Sequence, residues 1–222
     1  MSELSIFVDE SGSDDLSTKY YLVALVFHDQ SDPIVDSIAR YEMALRDRGL
    51  PNIPFHAGPL MNGKDDYEFL DLGTRKRLLA SFFVFARSLP ISYKAFAYRS
   101  SEVGRTGLAR AIEGDVTSFL RAGLGRFQSY GSVKIYYDGG QGAVTEALHR
   151  SVEAALSKSA LVFRKSSATQ YRLSQVADFI CTVELTAIKF AASEQTSTDG
   201  KVFGMRGAFK KNYLRKVRRL SL

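Results

Sequence analysis

The chain has 222 residues, of which 45% are hydrophobic, 12% aromatic and 24% charged, with 30 Lys+Arg against 24 Asp+Glu. That composition excludes a wholly disordered chain, and no apolar run approaches the roughly 18–20 residues of a membrane span. A single cysteine, Cys181, excludes a disulfide framework and a multi-cysteine zinc site; with no basic flank or cleavable apolar stretch in Met1-Ser2-Glu3-Leu4-Ser5, the expected address is the cytoplasm.

The apolar run Leu4-Ser5-Ile6-Phe7-Val8 meets the turn formers Asp9-Glu10-Ser11-Gly12-Ser13-Asp14-Asp15, which predicts a central strand ending in a sharp turn. A second strand over 20–27 follows too closely for a crossover helix, so the two should form an antiparallel hairpin. Ser31-Asp32-Pro33 signals a helix start, and Ile34, Ile38, Tyr41, Met43 and Leu45 mark a helix running to Gly49. Residues 50–63, with three prolines, read as a structured loop carrying Phe55-His56-Ala57. Thr74 is expected to cap a helix through Leu89, which Pro90 stops before a strand over 91–98. Then come a long helix over 107–127, a strand over 133–137, a helix over 142–157, a short strand over 161–163, an apolar helix over 173–192, a loop over 194–201 and a basic tail.

This order predicts an α/β fold, a mixed sheet flanked by helices. It reads as one domain over 1–200 with a helical insertion at about 33–89, followed by a basic C-terminal tail over 201–222. The glycines around the 107–127 helix are no phosphate loop, because no Gly-Lys-Ser/Thr follows a strand. Tyr20, Tyr21, Tyr136 and Tyr137 lie among apolar strand residues and read as core or sheet-face aromatics.

Charge is unevenly spread. Residues 1–72 carry 5 Lys+Arg and 14 Asp+Glu, residues 73–222 carry 25 and 10, and residues 201–222 hold eight bases with no acid. An acidic front suits cations and a basic back suits a polyanion, although a solvated helix at a chain end would carry the same bases.

Three acids stand where a sheet delivers functional groups. Asp9 and Asp138 each follow an apolar strand directly and precede glycines that let the backbone turn away. Asp178 is the one charge between Arg172 and Glu184, on a helix apolar almost all round, where an unpaired carboxylate is costly. Taken singly, Asp9 and Asp138 read as turn formers and Asp178 as a salt-bridge partner. Together they form an oxygen-only donor set of the kind that Mg²⁺ or Mn²⁺ takes, and a pair of such ions serves phosphodiester hydrolysis.

Ile6-Phe7-Val8-Asp9-Glu10-Ser11-Gly12, Phe55-His56-Ala57, Tyr136-Tyr137-Asp138 and Ser174-Gln175-Val176-Ala177-Asp178 together resemble the family catalogued as domain of unknown function 3800, over roughly residues 4–192. That family is similar to the ribonuclease H superfamily. The resemblance implies a mixed five-stranded sheet with acids on the first strand, the fourth strand and a late helix. It implies a two-metal site held by Asp9, Asp138 and Asp178. The helix pair before the third strand departs from that pattern and reads as an insertion carrying His56.

Glu10 joins this set only if a turn brings it back, since on a continuing strand it points opposite to Asp9. Asp14 and Asp15 read as solvated loop acids. His56 is a candidate general acid/base or substrate contact. Lys165, Ser166 and Ser167 lie on the approach to the Asp178 helix as candidate phosphate contacts, and Gln175 is a candidate hydrogen-bond donor that orients Asp178.

The leading expectation is a metal-dependent nuclease whose basic residues after position 200 hold a nucleic-acid backbone, with no membrane partner. A catalytically silent nucleic-acid-binding or assembly module on the same fold is the alternative. A haloacid-dehalogenase-type phosphatase with Asp9 as nucleophile is a third. Position 11 is Ser where that family's second acid stands, and the opening hairpin conflicts with its fold.

Overall fold

The computed structural model describes residues 2–12, 17–104, 107–137, 142–156, 161–165 and 171–222. The sheet is built from β1 (Glu3–Ser11), β2 (Tyr20–Asp29), β3 (Ile91–Arg99), β4 (Ser132–Tyr137) and β5 (Leu161–Lys165), in the order β3-β2-β1-β4-β5. β1 pairs antiparallel with β2, and β2 antiparallel with β3; β4 runs parallel to both β1 and β5. The expected opening hairpin is present, and the fold is α/β with a mixed sheet flanked by helices.

Between β2 and β3 the chain forms α1 (Val35–Asp47), α2 (Ala57–Asn62) and α3 (Leu72–Ser88). The sequence predicts only loop over 50–63, but His56 takes an extended conformation and α2 starts at the next residue, ending at Gly63 with φ 64°. α3 begins earlier than its predicted cap. Asp71 is the N-cap, accepting from the Thr74 backbone N–H at 2.9 Å, so Thr74 sits inside the first turn.

After β3 come α4 (Ser100–Val103), α5 (Gly107–Ala122) and α6 (Leu124–Gln128). The long helix expected over 107–127 breaks at Gly123, where a Cβ would lie 2.8 Å from the Phe127 ring. α7 (Gly142–Leu156) links β4 to β5, and α8 (Arg172–Ala191) follows.

The expected loop over 194–201 is in part a helix, α9 (Ser197–Phe203). Its polar sequence conceals a capping box in which Thr196 Oγ1 accepts from the Asp199 N–H and the Asp199 carboxylate accepts from the Thr196 N–H. α10 (Arg206–Phe209) then runs through a π-helical turn at Lys210–Leu214 into α11 (Arg215–Val217).

The alternation of β1 divides the core in two. Phe7 and its β2 neighbours Leu22, Ala24 and Val26 pack under α8 and the α1–α3 segment. Leu4, Ile6 and Val8 pack on the opposite face, against α5 and α7. Residues 201–222 are no loose tail: Val202, Phe203, Phe209, Leu214 and Val217 are buried in the α8-side core. The final residues meet the edge strand β3 through an isolated bridge, with Leu222 N–H donating to the Tyr93 carbonyl at 3.0 Å. The bases of this segment are displayed on a folded surface, with Lys201, Arg206, Lys210, Lys211, Arg215, Arg218 and Arg219 all exposed. Among the described residues no helix is long and apolar enough to cross a membrane.

Candidate acidic site

α8 buries most of its circumference, so the polar residues that it keeps are informative. Gln175, Asp178 and Cys181 recur at three-residue spacing and form one ridge along the helix. Each meets a different part of the fold. Gln175 Oε1 accepts from the Phe55 backbone N–H at 3.1 Å and from Arg172 Nη1 at 3.1 Å. Asp178 Oδ2 accepts from the Ala57 backbone N–H at 2.7 Å. Cys181 Sγ donates to the Asp9 carbonyl oxygen at 3.2 Å.

The ridge therefore ties the start of α2 and β1 to the same helix. Asp178 is the carboxylate at the start of α2, where an unmatched N–H and the helix dipole both favour negative charge. Gln175 Oε1 is an acceptor that fixes the strand-like segment before α2.

Asp9 and Asp178 are brought to the same side of the sheet. Both are half-buried. The Cys181 thiol between them is fully buried and pushed well above its usual range, first by burial and then by the negative charges of Asp9 and Asp178. Cys181 bonds the Asp9 carbonyl and stands one turn after Asp178, so the thiol lies between the two residues.

Glu10 does not join them. β1 continues to Ser11, paired with Leu22, so Glu10 stands on the opposite face. There Glu10 Oε2 accepts from the Tyr137 hydroxyl at 2.7 Å and from the Tyr21 hydroxyl. Both tyrosines are buried, as the sequence expects, and they also donate to this carboxylate.

His56 is exposed, with its backbone held on both sides: Phe55 to Gln175 and Ala57 to Asp178. Its own N–H donates to the Tyr67 hydroxyl at 3.2 Å, and that hydroxyl donates to the Pro54 carbonyl at 3.0 Å. Burial, foremost, raises the Tyr67 phenol, and the Asp178 charge adds to it. Arg75 closes the other end of α2 with two 2.8 Å bonds to the Leu60 and Met61 carbonyls. Tyr67, Arg75 and Arg172 thus build the scaffold around the acids. None of the three belongs to a motif, so none stands out in the sequence.

Lys165 is the last residue of β5, in register with Tyr137. Asp138, Ser166, Ser167, Asp14 and Asp15 lie outside the described residues. Among the described residues no group of three or more His, Cys, Asp or Glu side chains stands close enough together to hold a metal ion. Comparison with protein-family models, curated proteins and solved structures found no match to this chain.

Proposed function

We propose that the protein is a divalent-metal-dependent nuclease, or a related phosphoryl-transfer enzyme acting on nucleic acid, with a ribonuclease H-like arrangement of its sheet. The observation that carries this reading is the convergence of Asp9, from the first strand, and Asp178, from a late helix, on one side of the sheet around Cys181. These are two of the three acid positions that the resemblance to the domain of unknown function 3800 family implies. The strand order, with an antiparallel β3-β2-β1 and a parallel β1-β4-β5, further supports it.

The donor chemistry fits Mg²⁺ or Mn²⁺ in kind: Asp9 and Asp178 offer carboxylate oxygen, and Asp138 is the candidate to complete the set. Such ions lower the pKa of bound water and neutralise charge at phosphate. The residues of this chain hold the arrangement in place. The Ala57 N–H and Gln175 keep the insertion against α8, and Cys181 keeps α8 against the Asp9 backbone. His56, whose backbone neighbours are pinned to α8, is the candidate to carry a proton for the leaving oxygen. Glu10 serves the fold on the far face of β1.

A cleavage assay with Mn²⁺ on single- and double-stranded DNA and RNA tests the reading, with Asp9→Asn as control. Activity in the wild type that is lost in the variant is the expected result. Activity that survives in the variant removes Asp9 from the site. Binding of nucleic acid without cleavage identifies a silent binding module.

A further inference from the structure

Beyond the acidic pair, two elements lead in one direction. β1 runs on from Asp9 to Ser11, two residues further on the same side and about 7 Å away at the usual strand rise, and then to Gly12. α8 runs on from Asp178 through Leu185 to Lys189, spaced seven and eleven residues and so on one helical side, about 16 Å further along. Ser11, Gly12, Leu185 and Lys189 all line a cavity of about 340 Å³. A neighbouring cavity of about 470 Å³ shares Thr18, Lys19 and Glu194 with it and continues to Arg99 and Ser100. The two form one groove across the ends of β2 and β3.

Among the described residues the groove is cationic and rich in hydroxyls. Its lining holds three bases, Lys19, Arg99 and Lys189, and one acid, the partly buried Glu194. Lys19 Nζ lies 3.2 Å and Arg99 Nη2 3.9 Å from Glu194 Oε1, with the two basic side chains 73% and 48% exposed. Ion pairs this exposed contribute little and leave both cations available to a phosphate. Lys189 Nζ is 3.9 Å from Asp199 Oδ2, an oxygen that already accepts from the Thr196 N–H and hydroxyl. Cations and hydroxyls in a row suit the repeating sugar–phosphate unit of a polymer.

We propose that this groove carries the sugar–phosphate backbone of a single polynucleotide strand to the acidic pair, with Lys19, Arg99 and Lys189 as its phosphate contacts. The proposal rests on the reading of that pair as a phosphodiester site. It separates phosphate binding in the groove from the bases after position 200. Glu194 holds Lys19 and Arg99 together but repels the strand, so its neutralisation strengthens binding.

The test is metal-free binding of labelled oligo-dT and oligo-U by fluorescence anisotropy, across a salt series. The Lys19→Ala/Arg99→Ala double variant is expected to bind about tenfold more weakly, and its salt slope to fall by about 1.4, roughly 0.7 for each phosphate of a single strand that is no longer neutralised. Lys189→Ala should act in the same direction. Glu194→Gln should bind more tightly than wild type, a sign that damage to the fold would not give. A Lys210→Ala/Lys211→Ala variant, which removes equal charge elsewhere, should lose less.

Groove variants that bind as wild type overturn the proposal. So does an equal loss in the Lys210/Lys211 variant, or a mononucleotide that competes as well as the oligomer. Asp9→Asn is expected to retain binding. Binding with the groove pattern but no cleavage would remove the nuclease reading and leave the groove in place.

Discussion

The backbone N–H of Ala57 donates to Oδ2 of Asp178 at 2.7 Å, a bond between residues 121 positions apart. It makes one carboxylate both the cap of α2 and a member of the proposed metal site. The two roles separate by substitution. Asp178→Ala removes the acceptor and should cost about 1–2 kcal/mol in urea denaturation, whereas Asp178→Asn keeps an oxygen there and should cost less. Both should abolish Mn²⁺ binding. Equal destabilisation by Ala and Asn would mean that the Ala57 bond contributes nothing.

Glu10 and Asp9 are adjacent in sequence and on opposite faces of β1, so their substitutions should diverge. Tyr137→Phe removes a 2.7 Å bond to the Glu10 carboxylate and should destabilise the fold by about 1–2 kcal/mol. Glu10→Gln should weaken Mn²⁺ binding far less than Asp9→Asn. Equal loss of metal affinity in titration calorimetry would return Glu10 to the site.

The basic C-terminal segment is fastened by one of its own bases. Glu184 is 8% exposed and accepts from Arg218 Nη2 at 2.7 Å, Arg218 Nε at 3.1 Å and the Tyr93 hydroxyl at 2.6 Å. Arg218→Ala leaves a buried carboxylate with a phenol as its remaining partner in this trio, and should cost about 2–3 kcal/mol. Lys210→Ala, at an exposed base of the same segment, should stay within about 0.5 kcal/mol. Similar denaturation midpoints for the two variants would contradict this anchoring role.

Buried tyrosines set the alkaline limit of stability. Burial pushes the Tyr41 phenol up to about 12, while the Arg172 guanidinium beside it pulls the other way. Burial raises Tyr67, Tyr93 and Tyr98 as well. A folded-state value above the unfolded one means that stability is fully present below about pH 10 and is lost as pH rises through the folded value. For Tyr41 that window is about pH 10 to 12, and the loss is on the order of 2 kcal/mol. Tyr41→Phe should flatten the pH dependence in that window, measured by denaturation at fixed pH. An unchanged slope would show that Tyr41 ionises without opposing the fold.

The elements that carry apolar periodicity were legible in the sequence, including the opening hairpin and α8. The misses share a cause, which is that polar residues served local structure. Asp9-Glu10-Ser11 reads as turn, yet the ladder with β2 holds it extended to Ser11. Thr196 and Asp199 read as loop, yet they form a capping box. Of the site, Asp178 was legible because a lone acid on an apolar helix is costly. Its partner was not, because a backbone N–H such as that of Ala57 leaves no mark on the sequence. The same holds for the Cys181 thiol on the Asp9 carbonyl, where one partner is again main chain.

The central claim is that Asp9 and Asp178 belong to one carboxylate metal site. Isothermal titration of the metal-free protein with Mn²⁺ tests it most directly, alongside Asp9→Asn, Asp138→Asn and Asp178→Asn. The expected result is saturable binding by wild type that each of the three substitutions abolishes. Absence of binding by wild type, or binding that all three substitutions leave intact, would contradict it.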